Sequence, residues 1–253
     1  MIRGFYSSVS SLLSQQTNLN TIANNMANVG TTAFKPQRTA FSTMLYSEMN
    51  GGAGTMLTVG NGVNVTQTGI DFTVGSLQQT GLPLDFAITG EGFFALENDE
   101  SDEPTYTRDG SFKVIMDGDD AYLGNATGNY VLDAEGDRIE LQKAVITVGE
   151  EKTETETGEW DYTAIVPGVY TFPNQYELKL LGGNQYAATE RSGEAEAVEV
   201  EEPPVMQGFL ESSQVQLSQE MVRMIEASKG FSFGAKLVQT ADEIEKTVNQ
   251  LRQ

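Results

Sequence analysis

Residues 2–29 read IRGFYSSVSSLLSQQTNLNTIANNMANV. Apolar side chains recur in this stretch at alternating steps of three and four residues, a spacing that places them along one side of an α-helix. The predicted seam has one clearly polar member, Gln16, and consists of Ile2, Phe5, Val9, Leu12, Gln16, Leu19, Ala23 and Met26. The opposite side carries polar but uncharged side chains at Ser8, Ser11, Gln15, Asn18 and Asn25. Because Ser, Thr and Asn are mediocre helix formers, this helix is predicted to need a partner along its seam.

A second helix is predicted at the other end of the chain. Residues 217–251 contain no proline and continue the same alternation of three and four residues. Two neighbouring seams are present, the first formed by Leu217, Met221, Met224, Ser228, Phe231, Ala235 and Val238, and the second by Leu237, Ala241, Ile244, Val248 and Leu251. Gly230 and Gly234 weaken this helix locally and would suit a bend or the close approach of another backbone. Long helices with regular seams are typical of coiled coils and bundles, although an intramolecular helical hairpin fits the same pattern.

Between the two helices the hydrophobic period changes to two residues, which is the period of β-strands. Alternation with polar residues is seen at Phe112, Val114 and Met116, and at Tyr176, Leu178 and Leu180. Turn signals such as Asp109-Gly110 separate these short runs. The sequence therefore predicts an α+β fold with N- and C-terminal helices that form a coiled-coil-like terminal domain. The predicted segments are an N-terminal helix at 1–32, an extended or hairpin connection at 33–69, an acidic all-β domain at 70–206 and a C-terminal helix at 207–253.

Charge is distributed unevenly along the chain, whose net charge is −21. Residues 1–50 carry +2 and residues 207–253 carry −1, so that residues 51–206 hold −22. Near-neutral ends and a strongly acidic middle predict two packing surfaces that flank a solvated domain, although an acidic surface can also serve solubility alone. The same charge argues against nucleic acids and anionic membranes as partners, since phosphate binding needs clustered Lys and Arg.

The chain contains neither cysteine nor histidine. Disulfides, thiolate nucleophiles, Ser-His or Cys-His catalytic pairs and the commonest transition-metal ligands are therefore excluded. No apolar run approaches the roughly 18 residues of a membrane span, and the N-terminus lacks the apolar segment of a signal peptide. Asp117 opens a segment that is similar to a calcium loop, but Tyr122 stands where that pattern requires glycine. No catalytic, metal or cofactor site is predicted, and the plentiful carboxylates single out no glycosidase-like pair.

Three strings of the sequence resemble, in order, the signatures of flagellar rod and hook proteins. The first occupies residues 20–35, where an Asn-rich helix end precedes a short exit from the helix. Its family motif residues are Asn24, Asn25, Asn28, Phe34 and Lys35. The second comprises LDFAITGEGFF at 84–94 and YTRDGSF at 106–112. The third begins with GFLESSQV at 208–215 and continues to QTAD at 239–242.

The resemblance implies a structural subunit of the bacterial flagellar basal-body rod and not an enzyme. Such a protein is exported unfolded through the flagellar type III export apparatus, without a cleaved signal peptide, and polymerises helically into the hollow drive shaft between motor and hook. Its partners would be further copies of itself, adjacent rod and hook-junction proteins and the export apparatus, with no insertion into a bilayer. Its location would be the flagellar basal body in the cell envelope.

The helical seams then predict an assembly interface between neighbouring copies. It consists of Phe5, Val9, Leu12, Leu19, Ile22, Met26, Met221, Met224, Ile225, Phe231, Leu237, Val238, Ile244, Val248 and Leu251. The uncharged polar side chains on the other side of the first helix would line the channel. Because Ala33 stands where this family usually has glycine, the backbone there is expected to be less permissive.

Three further points stay open at the level of the sequence. Residues 41–45 are similar to the short Phe-x-x-x-apolar export motif of rod and hook substrates, although burial of Phe41 and Leu45 in a strand fits as well. The start of the chain and the string at 106–112 look more like the distal rod branch of the family, with a proximal rod or other hook-basal-body axial protein as the alternative. A secreted binding protein or carbohydrate-active enzyme, whose helices brace a β-domain, is the alternative of another class.

Overall fold

The computed structural model describes residues 2–50, 56–98, 101–118, 120–148, 153–162, 165–198 and 204–251. The chain divides into two compact units. The helical unit comprises Met1–Val29, Lys35–Asp71 and Val215–Gln253, and the β-unit comprises Gly30–Phe34 and Phe72–Gln214. Within the described residues, neither helix is long and apolar enough to cross a membrane.

The helical unit contains two helices and two β-ribbons. In chain order its elements are α1 (Ile2–Ala27), β1 (Gln37–Thr43), β2 (Ser47–Asn50), β3 (Met56–Val59), β4 (Val63–Ile70) and α2 (Leu217–Leu251). Strand β1 pairs antiparallel with β4 through a bulge at Ala40/Phe41, and β2 pairs antiparallel with β3. Residues 35–71, which the sequence assigns mostly to a connection between domains, therefore form part of this unit.

Helix α1 ends where its Asn-rich string gives way to glycine. The backbone N–H of Asn28 still donates to Asn24 O at 3.2 Å, and the Asn28 side-chain amide donates to the same carbonyl at 2.9 Å. The side chain thus adds a second donor to a carbonyl group in the last turn of the helix. The turn that follows contains Ala33, which adopts a left-handed conformation with φ of +53°. Ala33 thus adopts the left-handed conformation that glycine takes most readily, although Cβ opposes it by about 1–2 kcal/mol.

The β-unit is built from fifteen strands in the part of the chain that the structure describes. They are β5 (Leu77–Gln79), β6 (Phe86–Ile88), β7 (Phe93–Asn98), β8 (Ser101–Thr107), β9 (Lys113–Asp117), β10 (Asp120–Gly124), β11 (Tyr130–Val131), β12 (Lys143–Val148), β13 (Thr153–Trp160), β14 (Val169–Thr171), β15 (Lys179–Gly182), β16 (Gln185–Ala187), β17 (Glu196–Ala197), β18 (Val205–Gln207) and β19 (Phe209–Glu211). The main sheet has the order β15-β16-β8-β7-β11-β10-β9, with β14 joining β7 to β17. Three further pairs are β12 with β13, β18 with β6 and β19 with β5.

The core of the β-unit is aromatic and aliphatic. Its fully buried cluster consists of Phe86, Ile88, Phe94, Leu96, Phe112, Leu123, Val131 and Val169. The rings of Phe94 and Phe112 meet edge to face with their centroids 5.2 Å apart, a geometry that aromatic pairs prefer. Strings 84–94 and 106–112 of the sequence supply half of this cluster, since four of its eight members lie in them. These two strings are therefore core-forming in this unit.

Candidate assembly surface

Helices α1 and α2 pack antiparallel through small residues of α2. A side-chain carbon placed on Gly234 would stand 3.0 Å from Leu12 Cδ2, and one placed on Gly230 would stand 3.3 Å from the Gln15 amide. Ala227 is also buried, whereas most of α2 is exposed in the isolated chain. The close approach that Gly230 and Gly234 suggested in the sequence is confirmed.

Because the helix pair uses small side chains, large apolar side chains of α2 are left outside it. One set lies at spacings of 11, 4, 7, 4 and 3 residues, which place its members on one face of a helix with 3.6 residues per turn. This α2 stripe consists of Val222, Phe233, Leu237, Ile244, Val248 and Leu251, each of which is exposed. On α1, Tyr6 and Leu13 are also exposed, at 65% and 61%. Large apolar side chains exposed along one face of a helix in this way indicate an interaction surface.

The residues predicted for the assembly interface fall into three groups. Exposed in the single chain are Phe5, Met221, Ile225, Phe231, Leu237, Ile244, Val248 and Leu251. Half-buried are Val9, Leu12, Leu19, Met26, Met224 and Val238. Ile22 is 3% exposed, so its side chain is buried within the single chain. The predicted seams omitted four exposed residues, namely Tyr6, Leu13, Val222 and Phe233. A period of 3.6 residues places Val222 and Phe233 on the same helix face as Leu237 and Ile244, so the sequence could have indicated these two.

The polar side of α1 makes contacts within the unit, and its predicted role as a channel lining is wrong for Asn25, which is buried. Asn18 Oδ1 accepts a hydrogen bond from Thr39 Oγ1 at 2.7 Å. Asn25 is 1% exposed and bonds the backbone of β1. Gln15 lies against Gly230 of α2. Small polar side chains suit this face because they can bond a neighbouring strand backbone, whose N–H and C=O groups must be satisfied.

Asn25 makes the most complete of these contacts. Its side-chain N–H donates to Gln37 O at 2.9 Å, and its Oδ1 accepts from Gln37 N–H at 3.0 Å. The same amide lies 3.5 Å from Glu220 Oε2, and the other oxygen of Glu220 accepts from Arg223 at 2.5 Å. Asn25 therefore joins α1 to β1 and to the first turn of α2. Of the other motif residues, Asn28 caps α1, Asn24 is exposed, and Phe34 and Lys35 are buried, each in its own unit.

Asn25→Leu is expected to lower the free energy of unfolding of the helical unit by about 2–3 kcal/mol, because both backbone groups of Gln37 lose their partner. The measurement is urea unfolding followed by circular dichroism at 222 nm, since both α-helices of the described residues belong to this unit. Asn24→Leu, at the exposed neighbouring position, is the control and is expected to change stability by less than about 0.5 kcal/mol. Equal losses in the two variants would contradict the role of Asn25.

The two residues of the export-motif prediction lie on the surface. Phe41 belongs to β1 and is 43% exposed, and Leu45 follows that strand and is 89% exposed. Burial of both side chains in a strand, the other interpretation of this motif, is therefore wrong for this chain. Leu45 leads into the ribbon of β2 and β3, where Met56 and Leu57 are exposed as well.

Comparisons with known proteins match both ends and the centre of the chain. The matching family descriptions are Flagella basal body rod protein at residues 5–35, Flagellar hook protein FlgE/F/G D1 domain at 87–159 and Flagellar basal body rod FlgEFG protein C-terminal at 206–251. The chain is 32% identical to flagellar basal-body rod protein FlgG of Bacillus subtilis (strain 168), over 100% of both chains. It is also 32% identical to the FlgG of Borreliella burgdorferi, over 100% of this chain and 99% of the relative. A shorter match, at 39% identity, joins 47% of this chain to 28% of the flagellar hook protein FlgE of Helicobacter mustelae.

Proposed function

The chain belongs to the flagellar basal-body rod protein family, and from this premise we propose that it assembles into the rod as a helical homopolymer through exposed faces of α1 and α2. It is a structural subunit of the bacterial flagellar basal body. Membership of a structural family gives no support to the alternative of a carbohydrate-active enzyme.

The observation that carries the proposed mode of assembly is the exposure of the α2 stripe. Leu237, Ile244 and Leu251 are 59%, 51% and 82% exposed, although their helix already packs against α1. Burial of apolar surface contributes about 25 cal/mol per Å², so covering six such side chains supplies a substantial driving force for association. A helix of a neighbouring copy that packs on this face would remove the side chains of the α2 stripe from water.

The geometry of such a contact favours a polymer. The exposed apolar side chains of α1, such as Tyr6 and Leu13, and those of the α2 stripe are different surfaces, so a contact between them on two copies is heterologous. Heterologous contacts either close into rings or continue as helical filaments. A helical filament with the helices of successive copies packed along their length would form a rigid shaft, as transmission of torque from motor to hook requires.

Within the family, we assign the chain to the distal part of the rod. Relatives named FlgG match over essentially their whole length, whereas the match to hook protein FlgE covers 28% of that relative. The strings at the start of the chain and at 106–112 favour the same assignment. We also propose that residues 41–45 are the motif by which the flagellar type III apparatus recognises the chain for export, since the side chains of Phe41 and Leu45 are accessible.

The test is a strain that lacks the gene, examined by electron microscopy of its basal bodies. We expect a short rod that stops before the distal segment and carries no hook, and full restoration by the wild-type gene. A complete rod and hook in the deletion strain would refute the proposed function. A rod that stops at an earlier stage would assign the chain to the proximal rod instead.

A further inference from the structure

Arg108 is a buried charged residue in the β-unit, outside the assembly surface. Its side chain and that of Glu211 are each 1% exposed, and Arg108 Nε lies 3.5 Å from Glu211 Oε2. Arg108 Nη1 donates to Phe72 O at 3.1 Å, and Nη2 donates to Gly90 O. The guanidinium also stands 5.8 Å from the centroid of the Phe93 ring. One side chain thus contacts three separate segments of the chain.

Glu211 extends this network to two more backbone groups. Its Oε1 accepts from Gly75 N–H at 2.6 Å, and its carbonyl oxygen accepts from Ala33 N–H at 2.8 Å. The neighbouring backbones are joined as well, because Gln214 N–H donates to Phe34 O at 3.2 Å. We name Arg108, Glu211 and these backbone partners the Arg108 network.

The segments joined by the Arg108 network are those through which the chain enters and leaves the β-unit. The chain passes between the two units at 29/30, 34/35, 71/72 and 214/215. Ala33 and Phe34 lie beside the first two of these points, Phe72 at the third, and Glu211 and Gln214 beside the fourth. A buried ion pair is weak support for stability, because removing two charges from water is costly, but such pairs can specify one arrangement of the chain. Burial lowers the pKa of Arg108 from its ordinary value, and Glu211 opposes this change.

We propose that Arg108 is a positioning residue that fastens together the chain segments leading into and out of the β-unit. This inference rests on the proposed function, because a rod subunit under torque must carry load from α2 into the β-unit along these segments. The network distributes that load over Ala33, Phe72, Gly75 and Gly90, whose backbones belong to different parts of the β-unit. Without it, the strand that precedes α2 would be held by its pairing with β5 and by its remaining backbone hydrogen bonds.

The first test is amide hydrogen exchange in the full-length protein. The double variant R108M/E211Q removes both charges and keeps an oxygen acceptor for Gly75 N–H. We expect the amides of Ala33 and Gly75 to exchange about tenfold faster or more, while the core amide of Leu132, which donates to Ala95 O at 3.0 Å, stays unchanged. Arg108→Lys, which keeps the charge, is expected to restore most of the protection. A uniform change across the β-unit, or none, would overturn the proposal.

The control is Arg138→Met, which removes an ion pair of the same unit away from the network. Arg138 Nε lies 2.7 Å from Glu97 Oε2, and both side chains are partly exposed. The Arg138 hydrogen bond holds the pKa of Glu97 below its ordinary value. The variant is expected to leave Ala33 and Gly75 protected. Faster exchange at these amides in the control would overturn the assignment of the effect to Arg108.

The second test is swimming in media of increasing viscosity, in the deletion strain complemented with each gene. R108M/E211Q is expected to build rods and hooks but to lose speed more steeply than wild type as the load rises. Equal swimming at every viscosity would overturn the mechanical part of the inference. Failure of the wild-type gene itself to restore flagella would instead refute the proposed function, and the exchange experiment on purified protein would still stand.

Discussion

Gly110→Ala is expected to unfold the β-unit. A side-chain carbon at this position would stand 1.8 Å from Phe86 O, which is far inside van der Waals contact with a backbone atom. The two backbones cannot separate freely, because Phe86 N–H donates to Gly110 O at 3.0 Å and Phe112 N–H donates to the same oxygen at 2.9 Å. Both phenylalanines belong to the buried cluster, so any shift at Gly110 disturbs the core. We expect a loss of about 4 kcal/mol or more.

The measurement is urea unfolding followed by near-ultraviolet circular dichroism, which reports the packed aromatic rings of this unit. Gly90→Ala is the matched control, since an added carbon there meets Pro204 at an ordinary contact distance of 3.8 Å. That variant is expected to stay within about 1 kcal/mol of wild type. A Gly110→Ala protein as stable as the control would show that the β-unit tolerates a shift of Phe86.

The helices could be predicted closely from the sequence, because their periodicity is local. The absence of proline and the regular seams over residues 217–251 match the extent of α2. The predicted C-terminal helix at 207–253 begins too early, because Phe209–Glu211 form strand β19. Gly230 and Gly234 predicted a close approach because glycine offers another helix access to the backbone. The face of α2 that packs against α1 was harder to predict. Both large and small residues of α2 recur with helical spacing, and α1 packs against the small ones. Which set is used depends on tertiary packing and not on the local sequence.

The β-region shows where a period of two is insufficient. Tyr176, Leu178 and Leu180 alternate as a strand would, yet Gln175–Glu177 form a 3-10 helix and strand β15 begins at Lys179. Leu178 is buried, whereas Tyr176 and Leu180 are exposed, so the predicted strand at 176–178 is wrong. A pattern of three residues is too short to distinguish a strand from a turn that buries one side chain.

The Arg108 network could not be found from the sequence at all. Arg108 and Glu211 are separated by about a hundred residues, and charged side chains are almost always exposed unless they are paired. The strings that contain them, at 106–112 and 208–215, are two of the three that carry the family resemblance. The resemblance draws attention to these strings, but the pairing of Arg108 with Glu211 is long-range and becomes visible only in the folded β-unit.

Cells that carry Leu237→Asp together with Ile244→Asp are expected to be non-motile and to lack hooks. Both positions belong to the α2 stripe and are exposed in the single chain, so the substitutions leave its fold intact. In a polymer that buries the stripe, each subunit would instead remove two carboxylates from water without a partner. Such burial costs several kcal/mol per charge. Because the cost recurs at every subunit, even a modest penalty at each contact prevents growth of the filament.

The decisive comparison for the assembly surface is with Gln239→Asp, which adds a charge to an exposed position of α2 on another face of the helix. Circular dichroism at 222 nm should be the same for wild type, the double variant and this control. Sedimentation of concentrated protein should show polymer for wild type and Gln239→Asp and monomer for the double variant. Hooks and swimming in the Leu237→Asp/Ile244→Asp strain would place the stripe outside the rod interface. Loss of polymer in both variants would mean that added charge on α2, and not burial of the stripe, prevents assembly.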